Sequence, residues 1–148
     1  MKKEDWPGMD EKVMDGFAQN LQQDTANTLF RFLALQLQGD ANQKAALHEL
    51  KTLVEEAAPP NMITLQAGLA LLKQTDLRKV FTNLNMPVAV VLGELDTLVP
   101  VSVAGKMQHL LPGLQLSIVK RAGHVLFLTH KAETIIAVQQ FMEADVSS

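Results

Sequence analysis

Two side chains in the second half of the sequence have the types and spacing of an acyl-transfer site. Asp96 follows the apolar run 88–92, and His124 comes 28 residues later, after a second apolar stretch. A carboxylate beside an imidazole fixes its tautomer and stabilises the imidazolium that forms during catalysis. The imidazole then moves a proton between a nucleophile and a leaving group. The pair therefore predicts the acid and the base of a nucleophilic hydrolase.

Each residue also has a plainer interpretation. Asp96 could cap a helix that begins near Pro100 or simply serve the turn, and His124 could be a loop histidine near a helix start. The spacing of the two residues favours catalysis for both. Ala122 and Gly123, which are small, also let the loop before His124 approach an active-site mouth closely.

The nucleophile that such a pair requires is missing from the sequence. No Gly-x-Ser-x-Gly occurs in the 148 residues. Ser102 falls in the first turn of a predicted helix, Ser117 falls inside a strand, and Ser147 and Ser148 fall in a tail, so none occupies a strained strand-to-helix elbow. We expect this chain alone to be inactive.

The remaining histidines and the composition exclude several classes. His48, His109 and His130 form no metal-binding pattern, and the absence of cysteine removes thiolate ligands and disulfides, which fits a cytoplasmic location. The net charge of −3 and the lack of a basic stripe argue against nucleic-acid binding. No signal peptide is expected, and no apolar run approaches the length of a membrane span. No cofactor or metal is predicted.

The pattern of apolar residues divides the chain near residue 75 into two regions of different character. The first, 1–74, predicts four helices with starts capped by Asp10, Asp24, Asp40 and Asn61; the helices end near residues 23, 38, 58 and 74. The second, 75–148, predicts a short helical turn near residues 75–78, then strand 88–92, helix 101–111, strand 114–119 and helix 129–144. This order is that of a right-handed parallel βαβ unit with a covering helix, an α/β class fold.

Two parallel strands do not form a viable sheet by themselves, because their edges leave backbone groups unpaired. The missing strands must come from an N-terminal portion, another chain or a swapped copy. We therefore expect a missing N-terminal half or self-association into a dimer or higher oligomer.

The order of acid and then histidine after successive strands is that of α/β-hydrolases. Further motifs resemble the BioH-type carboxylesterases, the pimeloyl-[acyl-carrier protein] methyl ester esterases of biotin synthesis. The matching stretches are EDWPG at 4–8, RFLALQ at 31–36, GLALLK at 68–73, DLR at 76–78, MP at 86–87, GELD at 93–96, LVP at 98–100 and AGH at 122–124. The resemblance covers essentially all of the chain but only a little over half of a full family member.

The resemblance implies a partial α/β-hydrolase fold. Residues 1–74 would form the helical lid, and residues 75–148 would form the last two strands and helices of the core. The implied reaction is hydrolysis of the methyl ester of pimeloyl-acyl-carrier protein, with Asp96 and His124 serving a serine from the missing N-terminal part.

The resemblance also implies that basic lid residues contact the acidic carrier protein. Arg31 matches such a position, and Lys44 and His48 fall where the family can have arginines; all three could instead belong to solvated helix faces. Residues 1–74 contain 7 basic and 10 acidic residues, so this lid is less basic than the family pattern. For Phe32, Leu35 and Leu69, packing in the core is expected rather than lining of an acyl channel.

Two alternatives stay open. The chain could belong to another α/β-hydrolase, such as a lactonase, carbon–carbon hydrolase, dehalogenase or general esterase, because these share the same Asp and His. It could also be a noncatalytic helical module that binds carrier protein through residues 1–74.

Overall fold

The computed structural model describes residues 6–37, 43–56 and 61–146. Eight helices and two strands occur in these ranges. In chain order they are α1 (Glu11–Gln23), α2 (Thr25–Gln36), α3 (Gln43–Glu56), α4 (Met62–Gln74), α5 (Arg78–Phe81), β1 (Ala89–Gly93), α6 (Val103–Leu110), β2 (Gln115–Val119), α7 (Leu126–Thr129) and α8 (Lys131–Val146).

The first four helices, here called the helical segment, begin at polar caps. Asp10 accepts a hydrogen bond from the Lys12 amide, Asp24 accepts one from Asn27, and Asn61 accepts from the second and third residues of α4. These caps confirm three of the predicted helix starts. Helix α1 packs against both α2 and α4, and α3 packs against α2. Within this layer the rings of Phe17 and Phe32 lie 5.3 Å apart.

The part of the chain from β1 to α8, here called the strand segment, contains the two-stranded sheet. The strands are parallel, with Ala89 opposite Gln115 and Gly93 opposite Val119. Helix α6 connects them, so the predicted strand–helix–strand order is confirmed. Because parallel strands end at the same edge, the loops after β1 and β2 meet there.

Two small apolar clusters form the core on either side of these strands. One contains Leu92, Val103 and Ala104, and the other contains Val119, Ala122 and Leu126. Trp6 packs against the first cluster and lies 5.4 Å beneath the Arg78 guanidinium, which ties the start of the described chain to the strand segment.

Several predicted boundaries differ from the structure. The final helix was expected from residue 129, but a four-residue helix, α7, comes first and α8 begins only at Lys131. Strand β1 lies one residue later than predicted, and α6 spans eight residues rather than the predicted eleven, since residues 101–102 form a turn. The predicted cap Asp40, the stop at Gly39 and the end of the third helix near residue 58 lie outside the described residues.

None of the helices in the described ranges has the combination of length and apolar character that crossing a bilayer requires.

Candidate active site

Asp96 lies in the turn that follows β1 and is buried, with 8% of its surface exposed. One carboxylate oxygen, Oδ1, accepts hydrogen bonds from the amides of Leu98 and Val99 at 2.8 and 2.9 Å. The Asp96 amide donates to the Gly93 carbonyl at 3.2 Å. These bonds fix the carboxylate in one orientation. Asp96 therefore serves the turn through Oδ1, as in its plainer interpretation. Its second oxygen, Oδ2, is still available for a chemical role.

His124 approaches that second oxygen from the loop after β2. Its Nδ1 lies 2.9 Å from Asp96 Oδ2. Because an ionised carboxylate can only accept, Nδ1 carries the proton that is donated, and Nε2 is the acceptor nitrogen of the neutral ring. The His124 side chain is 37% exposed, whereas that of Asp96 is 4% exposed. A buried acid that orients a more accessible imidazole is the arrangement of a general base.

A close backbone approach brings the two loops together. The Leu95 amide donates to the Ala122 carbonyl at 2.9 Å, and a Cβ built on Gly93 would lie 2.3 Å from the Gly123 carbonyl oxygen. No side chain fits there, so Gly93 lets the strand carrying the acid touch the loop carrying the histidine. The sequence indicated a close approach for Ala122 and Gly123, but Gly93 as the opposing surface was missed.

A second contact joins His124 to the helical segment. The His124 amide donates to the carbonyl of Gln36 at 3.1 Å, at the C-terminal end of α2. Leu37, the next residue, is only 1% exposed and anchors this end of the helix. Sequence reasoning missed the contact, because a backbone carbonyl has no residue type by which it could be recognised.

The His124 side chain opens into a cavity of about 520 Å³ between the helical segment and the turn after Asp96. This volume falls within the usual range for small-molecule sites. Its wall is mainly apolar and consists of Met9, Val13, Met14, Gly16, Phe17, Asn20, Thr28, Arg31, Phe32, Leu35, Leu69, Leu72, Leu98, Val99 and His124.

The cavity corrects one sequence-based expectation. Phe32, Leu35 and Leu69 were expected to pack in the core, but all three line the cavity. The reason is that the cavity lies between the turn after Asp96 and the helices α1, α2 and α4, so apolar side chains of these helices form its wall.

The other candidate residues lie in different places. Arg31 is exposed and lines the cavity, whereas Lys44 and His48 are exposed on α3 and are not part of its wall. Ser102 precedes α6 and Ser117 lies within β2. None of the described residues that line the cavity is a serine. His130 lies between α7 and α8, where its Nδ1 contacts the Thr129 hydroxyl at 2.9 Å.

No group of three or more histidine and acidic side chains suited to a metal ion occurs in the part of the chain that the structure describes.

An acid that follows one parallel strand and a histidine that follows the next are in contact across the sheet edge. The chain belongs to the α/β-hydrolase fold family, whose profile matches residues 3–131. Among solved structures, a bromoperoxidase from Bacillus anthracis superposes with a TM-score of 0.79 at 21% identity, over 96% of this chain and 53% of the other. An esterase from Exiguobacterium antarcticum gives 0.78 at 19% identity, over 93% and 50%. These likenesses establish the fold.

Curated relatives confirm the resemblance noted in the sequence. The chain is 33% identical over 142 residues to the pimeloyl-[acyl-carrier protein] methyl ester esterase of Aeromonas hydrophila, covering 96% of this chain and 56% of the relative. It is 36% identical over 141 residues to the enzyme of the same name from Pectobacterium atrosepticum, covering 93% and 55%. The chain thus spans about half the length of the curated relatives it matches.

Proposed function

We propose that this chain contributes the acid, the general base and the substrate cavity of a serine carboxylester hydrolase. The observation that carries the proposal is the 2.9 Å contact between His124 Nδ1 and Asp96 Oδ2 beside a mainly apolar cavity. The serine and the oxyanion-hole donors come from the half of the family fold that these residues do not span. In this arrangement residues 1–74 act as the lid and residues 75–148 as the end of the core.

With this pair, ester hydrolysis proceeds in two steps, acylation of the serine and hydrolysis of the acyl-enzyme. His124 Nε2 takes the proton of the serine hydroxyl as the oxygen attacks the ester carbonyl, and then gives it to the departing alkoxide, so that an alcohol leaves and an acyl-enzyme remains. Water next attacks the acyl carbon while His124 takes its proton. Return of that proton to the serine oxygen releases the free carboxylic acid. Asp96 holds the ring orientation and stabilises the imidazolium in both steps.

The proposed substrate is the methyl ester of pimeloyl-acyl-carrier protein, with methanol as the leaving group. The names of the curated relatives support this choice. The apolar wall suits the methylene chain between the ester and the carrier attachment, because moving alkyl groups out of water lowers the free energy. Arg31 on the cavity wall supplies a cation for the carrier's acidic surface or phosphate arm, and Lys44 and His48 on α3 are secondary candidates for carrier contact.

A fused protein tests the proposal. The part of the Aeromonas hydrophila esterase that this chain does not cover is joined to residues 1–148, and hydrolysis of a short-chain p-nitrophenyl ester is measured. We expect activity in the fusion, none in this chain alone, and a loss of about 10⁴-fold in kcat for Asp96→Asn, which leaves the wrong imidazole tautomer facing the serine. His124→Ala should lower kcat by about 10⁶-fold, to the residual rate that the oxyanion hole and substrate binding still provide.

Controls separate this outcome from its rivals. Ser102→Ala should leave the activity unchanged, because Ser102 is exposed and lies outside the cavity wall. A folded fusion without His124-dependent hydrolysis would contradict the proposal. Carrier-protein binding that persists in His124→Ala, together with no hydrolysis in any fusion, would favour the noncatalytic binding module instead.

A further inference from the structure

The loop that carries His124 begins with an unfavourable backbone conformation. Arg121 has φ of 59°, and no other non-glycine residue in the described ranges has a positive φ. A side chain with a Cβ resists this left-handed conformation, which persists only where neighbouring groups enforce it. The loop from β2 to His124 therefore needs an external contact at Arg121.

Glu94 provides that contact. Its carboxylate oxygen Oε2 accepts a hydrogen bond from the Arg121 amide at 2.8 Å. A charged acceptor makes such a bond stronger than one between neutral groups. Glu94 is also tied to β2 by its own amide, which donates to the Val119 carbonyl at 3.0 Å. The carboxylate of Glu94 therefore stabilises the turn at the point where the chain leaves the strand.

Glu94 and Asp96 hold the two ends of the same loop. Glu94 binds the backbone at Arg121, and Asp96 binds the imidazole of His124, three residues later. Both acids follow β1, so the loop is fixed at both ends to one short turn. We infer that Glu94 is a positioning residue, which keeps the His124 ring against Asp96 by fixing the left-handed turn at Arg121. Its catalytic importance rests on the proposed function, but its effect on the His124 ring does not.

The inference is tested on the full chain by nitrogen-15 NMR of the His124 ring, without any activity measurement. In the unaltered chain we expect a single tautomer protonated at Nδ1. In Glu94→Ala the Nδ1 proton should exchange with water about tenfold faster, as expected for loss of one charge-assisted hydrogen bond, and signals of the second tautomer should emerge. Glu94→Gln keeps an oxygen acceptor and should remain within about threefold of the unaltered chain.

Two further variants keep the test decisive. Adding Arg121→Gly to Glu94→Ala should recover most of the slow exchange, because glycine adopts the positive φ without strain. Glu49→Ala removes an exposed acid from α3 and should change nothing. Equal exchange in Glu94→Ala and the unaltered chain would overturn the inference, as would equal losses in the alanine and glutamine variants. If Glu94→Ala does not fold, Glu94→Gln and the Arg121→Gly double variant decide by the same criteria. A negative result in the fusion assay leaves this ring measurement intact, so the two failures are distinguishable.

Discussion

The helical segment and the strand segment differ in how closely their residues pack. In the helical segment, α3 and α4 have no buried residue among those described, and Ile63, Leu71 and Leu72 are more than 60% exposed. In the strand segment, two buried clusters and a backbone approach with no room for a Cβ hold the acid against the histidine. The molecule therefore combines a loosely packed apolar wall with an Asp96–His124 pair that is held by close packing.

This difference has a chemical basis. The contact between Asp96 and His124 acts only at hydrogen-bond distance, so small displacements remove it. Attraction between an alkyl chain and an apolar wall depends mainly on the area removed from water and has little directionality. Substitutions in the strand segment should therefore change stability more than substitutions in the helical segment.

The largest difference between the two segments is expected when one methyl group is added to a glycine in each. Gly93→Ala should lower the free energy of unfolding by about 3 kcal/mol, because its Cβ would collide with the Gly123 carbonyl. Gly68→Ala in α4 meets nothing within 4 Å and should raise it by about 0.8 kcal/mol, since alanine is the better helix former. Urea titrations of both variants measure the difference. Similar changes in the two variants would contradict the contrast.

Removing the Asp96 carboxylate should produce the next largest effect. Asp96→Ala should lower the free energy of unfolding by about 2 kcal/mol, because the amides of Leu98 and Val99 and the His124 ring lose their acceptor. Asp96→Asn keeps one oxygen for the two amides and should lose roughly half as much. Chemical denaturation compares the two; an asparagine variant as unstable as the alanine variant would show that the ring contact dominates.

Caps in the helical segment should have smaller and more local effects. Asn61 accepts hydrogen bonds from the Ile63 and Thr64 amides at the start of α4. Asn61→Ala should lower the free energy of unfolding by about 1 kcal/mol, and Asn61→Gly by only a few tenths, about 0.3 kcal/mol. Circular dichroism during thermal unfolding checks the order. The His124 ring signals should stay unchanged in both variants, and a change there would show that the effect of the cap is not confined to α4.

The smallest effect should come from the ion pairs between α1 and α4. Lys73 contacts Asp15 at 2.6 Å and Glu11 at 3.1 Å, and the hydrogen bond to Asp15, followed by that to Glu11, raises the Lys73 pKa above its ordinary value of 10.5. A raised folded-state pKa means that the contribution is present below pH 10.5 and is lost as the pH rises through the raised value. This contribution of Lys73 to stability is small, because the ion pairs are exposed to water and are screened by salt.

Lys73→Met should therefore be slightly less stable than the unaltered chain at neutral pH and low salt. The difference should disappear in strongly alkaline buffer and shrink at high salt. Unfolding midpoints measured across pH and ionic strength test this. A difference that stays constant across pH and ionic strength would show that Lys73 acts through packing of its alkyl chain instead.

The sequence predicted those features of the fold that depend on local signals. The starts of α1 and α4 follow from the caps Asp10 and Asn61, and the strand order follows from two short apolar runs. The start of α8 was predicted two residues early. The structure instead places the short helix α7 before it and separates the two helices at His130, which has a non-helical conformation.

The candidate site was predicted only in part for a similar reason. Asp96 and His124 could be identified because their side chains have distinctive chemistry and follow successive strands. The roles of Gly93 and of the Gln36 carbonyl depend on contacts between distant parts of the backbone. The cavity could not be deduced either, since the same apolar spacing on α1, α2 and α4 suits a filled core and an open wall equally well.

The hydrogen bond from the His124 amide to the Gln36 carbonyl links two equilibria. It forms only when the end of α2 rests against the histidine loop, so the two placements stabilise each other. By thermodynamic reciprocity, a ligand that favours this placement of α2 also favours the ordered histidine, and an ordered histidine strengthens binding of that ligand by the same factor. A ligand whose binding depends on the position of the end of α2 would therefore be sensitive to the order of His124, through one hydrogen bond between two backbone groups.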